Sequence, residues 1–410
     1  MKLRPEEVET NPQQISETLN MGKWSTSAGI AMGVAAVLVF LVIGFKALQI
    51  SGDDPKTLEM VHVVMRHGTR TPASTYPNDP YINETFYPIG WGQITNEGKL
   101  HLFNVGKFLR ERYGSFLGTH YSPDEYYTQS TGVDRTKVSM QMVNAGLWPP
   151  VGEQKWGPLD WQPIPVSSEP LDQDSLLLVR RPCPQYHIEK ERVMNSPEVK
   201  SMMAEYEDLF RELTEITGQK VEDFDGVQDI YSTLMAEEAF NLTLPDWTKN
   251  YYPKKMFTPT VKSFILNVYT DKMNRLKGGV LLKKLLEDWT SKSEGSIKQK
   301  TKKAFLYGGH DSTVVNILRA LKVWDDQFPG YAITVLFELY KDRATNTYGV
   351  EIYLRNSTVV PPFKLTIPGC ESFCPLTKLK ELTTDVIPVD WDEECKTDDK
   401  DFVVPELGGP

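Results

Sequence analysis

The chain has 410 residues, enough for one large domain or two smaller ones once its N-terminal region is set aside. Apolar residues make up 40% and aromatic residues 11%, a composition that buries a core and excludes bulk disorder. The formal net charge is −10, from 45 Lys and Arg against 55 Asp and Glu, which argues against nucleic acid as a partner.

Residues 1–27 form a polar tail carrying Glu6, Glu7, Glu9 and Glu17. Ala28 to Phe45 is then an uninterrupted apolar run, about 27 Å long as a helix against a hydrocarbon core of ~30 Å. The long acidic tail before it favours a retained signal-anchor. The alternative is a removed signal peptide, with synthesis from Met21 or cleavage at the small residues Gly44 or Ser51-Gly52. Residues 51–57 read as a linker. Three Asn-x-Ser/Thr sequons follow the run, at Asn83, Asn241 and Asn356, as do all four cysteines. Both features favour a lumenal or extracellular body. The close pair Cys370/Cys374 suits a small closed loop, leaving Cys183 and Cys395 as a long-range pair; a zinc site is the rival reading, weakened by the lack of His at ligand spacing.

Leu58 to Met65, LEMVHVVM, reads as a strand covered on both faces. It runs into the loop Arg66-His67-Gly68-Thr69-Arg70-Thr71-Pro72. A helix fits Asn96 to Tyr113, with Leu100, Phe103, Phe108 and Leu109 at helical spacing. From Ser196 to Trp289 only helical patterns occur: Met202 to Leu213, Val221 to Phe240, Thr260 to Leu276 and Val280 to Trp289, broken near Pro245 and at Gly278-Gly279. Lys303 to Tyr307 is a second strand, feeding Gly308-Gly309-His310-Asp311-Ser312-Thr313 and a helix with Val314, Val315, Leu318, Leu321 and Val323 on one face. Strands then fit Ala332 to Tyr340 and Tyr348 to Arg355. The expected class is α/β, a body of residues 58–186 and 290–395 with a central mixed, mainly parallel sheet, split by an inserted all-helical cap at 187–289. Residues 396–410 are expected to be an acidic, solvated tail.

Two strand-to-loop junctions hold the chemistry. Open parallel sheets bind ligands beyond the carboxyl ends of their strands, so these loops are expected to meet. The first packs Arg66, His67 and Arg70 into five residues, a positive density suited to phosphate, and a neutral His67 can attack phosphorus directly. The second brings His310 as a further donor and Asp311 as a general acid, ahead of a helix N-terminus. Arg135, in Asp134-Arg135-Thr136, is a weaker candidate on its own spacing.

RHGTRTP at Arg66 to Pro72 and GGHDST at Gly308 to Thr313 resemble the two signature segments of the histidine acid phosphatases. Other stretches, among them STGVDRTKVSM at Ser130 to Met140 and IPGCESFCPL at Ile367 to Leu376, look like the prostatic and lysosomal branch of that family, over roughly Leu58 to Cys395. The resemblance implies the histidine phosphatase α/β sandwich and phosphate monoester hydrolysis with an acidic optimum, without metal or cofactor. Residue by residue it implies His67 as nucleophile, Asp311 as proton donor, and Arg66, Arg70, Arg135 and His310 as phosphate ligands. It also implies the pairs Cys183–Cys395 and Cys370–Cys374, and a homodimer. A third cysteine pair usual in vertebrate members is absent. Lysosome and other secretory compartments remain open for the chain. The competing functions are a catalytically silent binding protein on the same fold and a phosphatase for highly charged inositol phosphates, whose pocket would need further Lys or Arg.

Overall fold

The computed structural model describes residues 55–296, 300–356 and 360–405; the apolar run Ala28–Phe45, the polar tail before it, and residues 406–410 of the acidic tail lie outside the described residues. Among the described residues no helix is long and apolar enough to cross a membrane.

The organising element is β1 (Lys56–Arg66). It begins inside the stretch read as linker, because Lys56 and Thr57 pair with Asp342 and Lys341. The other strands are β2 (Tyr126–Ser130), β3 (Ser167–Ser168), β4 (Ala304–Gly309), β5 (Thr334–Asp342), β6 (Tyr348–Arg355), β7 (Phe363–Leu365) and β8 (Cys374–Pro375). The sheet order is β3-β2-β4-β1-β5-β6-β7, with β8 also paired to β6. From β3 to β1 every pairing is parallel; beyond β1 every pairing is antiparallel. The register sets Arg66 opposite Gly309 and Ser130 opposite Gly308, so the carboxyl ends of β1, β4 and β2 lie side by side at one edge.

Side-chain alternation along β1 divides the core. Val61, Val63 and Met65 point to one face, where α1 (Asn96–Leu117) and α2 (Asp134–Leu147) pack. Met60 and Val64 point to the other, covered by α10 (Gly278–Ser293) and α11 (Asp311–Ala320). Helices thus cover both faces of a sheet whose central strands β1 and β4 are mostly apolar, the arrangement expected for buried parallel strands.

The buried stripe of α1 is only in part the predicted one. Leu100 is 60% exposed, whereas Leu102, Val105, Leu109 and Tyr113 are buried. Gly98 sits on the same stripe, where a Cβ would stand 2.2 Å from the carbonyl oxygen of Thr69. The helix therefore turns its glycine side, not its bulkiest side, toward the loop that follows β1.

Between Ser168 and Ala304 the described residues form helices and one 3₁₀ turn, with no strand. The helices are α3 (Pro184–Met194), α4 (Pro197–Ala204), α5 (Glu207–Thr217), α6 (Phe224–Ala239), α7 (Thr248–Tyr251), α8 (Lys254–Leu266) and α9 (Asp271–Leu276), then α10. They enclose an apolar core of their own, including Leu213, Phe224, Val227, Leu234 and Met273. The predicted helix from Thr260 to Leu276 is two: α8 ends at Leu266, and the side chain of Thr270 caps α9 by accepting from the Met273 amide. The expected break falls at Lys277, between α9 and α10, and Gly278-Gly279 opens α10. A Cβ there would meet the carbonyl oxygens of Asn316 at 2.1 Å and Val386 at 1.9 Å, so the pair is needed for close approach to α11 and to the segment after α12 (Leu376–Leu382). A last short helix, α13 (Trp391–Glu394), precedes Cys395.

Both cysteine pairs are disulfides, Cys183–Cys395 and Cys370–Cys374, which leaves no thiolate for the rival zinc site. The sequon residues Asn83, Asn241 and Asn356 are all exposed.

Candidate active site

Three parallel strands deliver the site. β1 ends in Arg66 and releases His67; β4 ends in Gly309 and releases His310 and Asp311; β2 ends at Ser130, and the turn Thr131–Val133 starts α2 with Arg135 in its first turn. The backbone ties these exits together. The His67 amide donates to the Gly309 carbonyl at 3.0 Å, and the Thr131 amide to the Gly308 carbonyl at 3.1 Å. Arg66, His67, Arg70, Arg135, His310 and Asp311 are accordingly brought together. Arg66, His67, Arg135 and His310 are 1%, 2%, 6% and 4% exposed, so they face each other rather than water.

His67 is held in one tautomer. Its Nδ1 lies 2.9 Å from the carbonyl oxygen of Gly68, which can only accept, so Nδ1 carries the proton. Nε2 then keeps its lone pair, and it makes no hydrogen bond among the described residues. Burial pushes the imidazole pKa well below its ordinary value, and Arg66, Arg135, His310 and Arg70 push it further the same way. His67 is a neutral base in an acidic medium.

His310 is likewise neutral, its pKa lowered to about 3 by burial and then by Arg135, with Asp311 opposing. Nη2 of Arg135 approaches its Nδ1 at 3.5 Å, so Nε2 holds the proton and donates to Oγ1 of Thr131 at 3.0 Å. Thr131 passes the chain to Thr136 at 2.7 Å, and Thr136 donates to the Val133 carbonyl at 2.7 Å. Every proton in this relay has a place, which fixes the ring with its centre 5.5 Å from that of His67, edge to face.

The cations have few partners. Arg66 forms an ion pair with Asp311 at 3.0 Å, donates to the Pro329 carbonyl and lies 4.6 Å from the ring centre of Tyr331. Arg70 donates to the Thr71 carbonyl at 3.0 Å. Burial lowers the Arg135 pKa to about 10, with Arg70 adding to the effect. Three guanidiniums thus converge on one carboxylate, an excess of positive charge that an anion would neutralise. Asp311 is 21% exposed. Burial raises its pKa, but Arg66, His310, the Ser312 amide and Arg70 outweigh burial and hold it below the ordinary carboxylate value.

The sequence reading missed Thr131, Thr136 and the Phe328–Tyr331 turn. The ring of Tyr331 stands 5.8 Å from that of His67, and Phe328 packs on Tyr231 and Phe264 of α6 and α8, joining the site to the helical segment. Thr131 and Thr136 flank Arg135 within one quoted stretch, so their proximity was a usable signal; the Phe328–Tyr331 turn offers none. Among the described residues no group of three or more His, Cys, Asp and Glu side chains converges as metal ligands do.

A model of the Histidine phosphatase superfamily (branch 2) matches residues 57–355. The venom acid phosphatase Acph-1 of Apis mellifera is 35% identical over 377 residues, covering 91% of this chain and 93% of its own. The prostatic acid phosphatase of Rattus norvegicus is 38% identical over 365 residues (87% and 94%), and the lysosomal acid phosphatase of Homo sapiens 36% over 369 residues (88% and 85%). The apo phytase of Hafnia alvei superposes with a TM-score of 0.62 at 18% identity, over 85% of this chain and all of that one, a likeness of fold.

Proposed function

The chain belongs to the histidine phosphatase superfamily, branch 2, and on that premise we propose that His67 carries its phosphohistidine, with Asp311 serving the leaving group. The activity is that of an acid phosphatase, hydrolysing phosphate monoesters through a phosphohistidine intermediate. In the first step Nε2 of His67 attacks phosphorus; the N–P bond forms as the ester P–O bond breaks, and Asp311 gives its proton to the departing oxygen. In the second, water attacks the phosphorus, the Asp311 carboxylate takes the water's proton, and the N–P bond breaks. Arg66, Arg70 and Arg135 hold the equatorial oxygens, where charge spreads in the transition state, and His310 adds a polar edge fixed by its threonine relay.

The acidic optimum follows from the charges. An arriving phosphate competes with Asp311 for Arg66, which relieves the contact that keeps this carboxyl ionised. Its pKa rises in the complex, and below neutral pH the acid form is available while His67 stays neutral.

The observation that supports the assignment best is the fixed tautomer: a buried imidazole with Nδ1–H committed to Gly68 and Nε2 left among guanidiniums. Acid-sensitive label from a ³²P-monoester, trapped during turnover at a denaturing alkaline quench, is expected on the peptide containing His67. Label on another side chain, or none at saturating substrate, rejects the role.

The exposed sequon asparagines and the two disulfides support a lumenal or extracellular catalytic body. Retention of Ala28–Phe45 as a membrane anchor and assembly as a homodimer belong to the same proposal. The first rests on the apolar run and the second on the family alone. The N-terminal residue of the mature protein and its mass in solution test them.

A further inference from the structure

Beside the catalytic loop lies a second cationic cavity, of about 680 Å³, that the phosphate chemistry does not use. Arg180, Lys190 and Lys277 line it, with His187, a neutral imidazole whose pKa burial and then Lys277 and Lys190 lower to about 4, and so does Ser312, the residue after Asp311 in the first turn of α11. The two sites share this wall. Arg180 stands near enough to His310 to be one of the charges lowering its pKa, and the segment leading to Arg180 supports α11 through the Leu177 carbonyl, which accepts from Thr313 at 2.8 Å.

The cations are not neutralised within the protein. Lys190 pairs with Asp225 at 3.2 Å, and Glu191 also lines the cavity. Arg180 and Lys277, however, form no ion pair among the described residues. Lys277 is held by one hydrogen bond, to the Val179 carbonyl at 2.7 Å, and by the face of Tyr186 at 4.4 Å, so two of its N–H bonds remain for a ligand. Burial, then Arg180 and Lys190, lower its pKa to about 7, with Asp174 opposing. Placing these charges together is costly without an anion to offset them.

We propose that this cavity is a second anion subsite, which holds a further phosphate carried on the leaving alcohol while the scissile phosphate sits at His67. Proximity favours this occupant: Ser312 lines the cavity one residue from the proposed proton donor, and Arg180 is close enough to His310 to act on its charge. The inference rests on the acid phosphatase reading of the neighbouring site. None of Arg180, Lys190, Lys277 and His187 belongs to the two signature loops.

The test is steady-state kinetics of the full chain on α,ω-alkanediol bisphosphates of graded length, each against the phosphate monoester of the corresponding alcohol. At one length or more, kcat/KM is expected to favour the bisphosphate by about tenfold, the scale of one partly buried charge contact. Lys277→Met should collapse that ratio and Lys277→Arg should keep it; the monoester rate of each variant is its internal reference for folding. Equal rates on bisphosphate and monoester at every length overturn the subsite, as does a preference that survives Lys277→Met. Failure of the wild type on the monoesters themselves would instead reject the phosphatase reading.

Discussion

Two histidines five residues apart, one inside a strand and one just beyond its end, show how position becomes role. His62, inside β1, is fully buried with both nitrogens committed: one 3.1 Å from the Asp288 carboxylate, the other accepting from the Trp289 indole at 3.1 Å. It stacks on Phe305 at 4.9 Å, and Lys284 closes over Asp288 at 2.5 Å. His67, just past the end of the same strand, has one nitrogen committed and the other open toward three guanidiniums. Burial lowers both pKa values. At His62 the Asp288 carboxylate opposes it, whereas at His67 every neighbouring charge reinforces it. Burial alone therefore does not mark a reactive imidazole; an uncommitted nitrogen facing unbalanced charge does.

The comparison breaks most easily at His67. His67→Ala is expected to lower turnover of a chromogenic phosphomonoester by about 10⁴-fold or more while the urea midpoint stays near wild type. A variant retaining a tenth of the activity would end the distinction. Asp311→Asn comes next, at roughly 10²-fold on esters with poor leaving groups and much less on good ones. It should also flatten the alkaline limb of the pH–rate profile, since that limb reports loss of the Asp311 proton. A uniform loss across leaving groups would show a positioning role instead. His62→Leu inverts the pattern. It leaves the buried Trp289 N–H without its acceptor and takes one of two partners from the Asp288 carboxylate, which keeps Lys284, and should cost about 1–3 kcal/mol of stability in denaturant titration with kcat per folded molecule unchanged.

The same contrast explains what was legible in the sequence. The apolar runs of β1, β5 and β6, and the glycine-flanked exits holding His67 and His310, announce themselves because burial on two faces and a tight turn each need particular residues. β2 is silent: Thr128, Gln129 and Ser130 are polar yet at most 9% exposed, paid for by pairing with β4 and not by apolarity. Without that strand, Arg135 looked like a solvated helix start, and only the family resemblance raised it. The stripe of α1 was misread in part because a scan for bulk ignores Gly98, the residue that sets the contact. Tyr331 and the Pro329 carbonyl reach Arg66 across 263 residues of chain or more, a proximity that no local pattern encodes.

The last expected effect leaves turnover aside and concerns how the stability of such a body depends on pH. His62, His67 and His310 are kept neutral, so as pH falls below the ordinary histidine value of about 6.5 the unfolded chain takes up protons that the folded one refuses, and stability declines. Glu237 in α6 has the opposite sign. It is 0% exposed beside buried Asp79; burial and the Asp79 carboxylate push its pKa up to about 8. Its contribution is complete below the ordinary carboxyl value and is lost as pH rises through about 8. Glu237→Gln removes that ionisation. The variant should match wild type near about pH 4.5 and gain on it by a few kcal/mol, order of magnitude, by about pH 7.5. Denaturant midpoints of both proteins across this range give the answer. Parallel profiles would mean that the carboxyl ionises alike in both states, and that acid tolerance here comes from elsewhere than the Asp79–Glu237 contact.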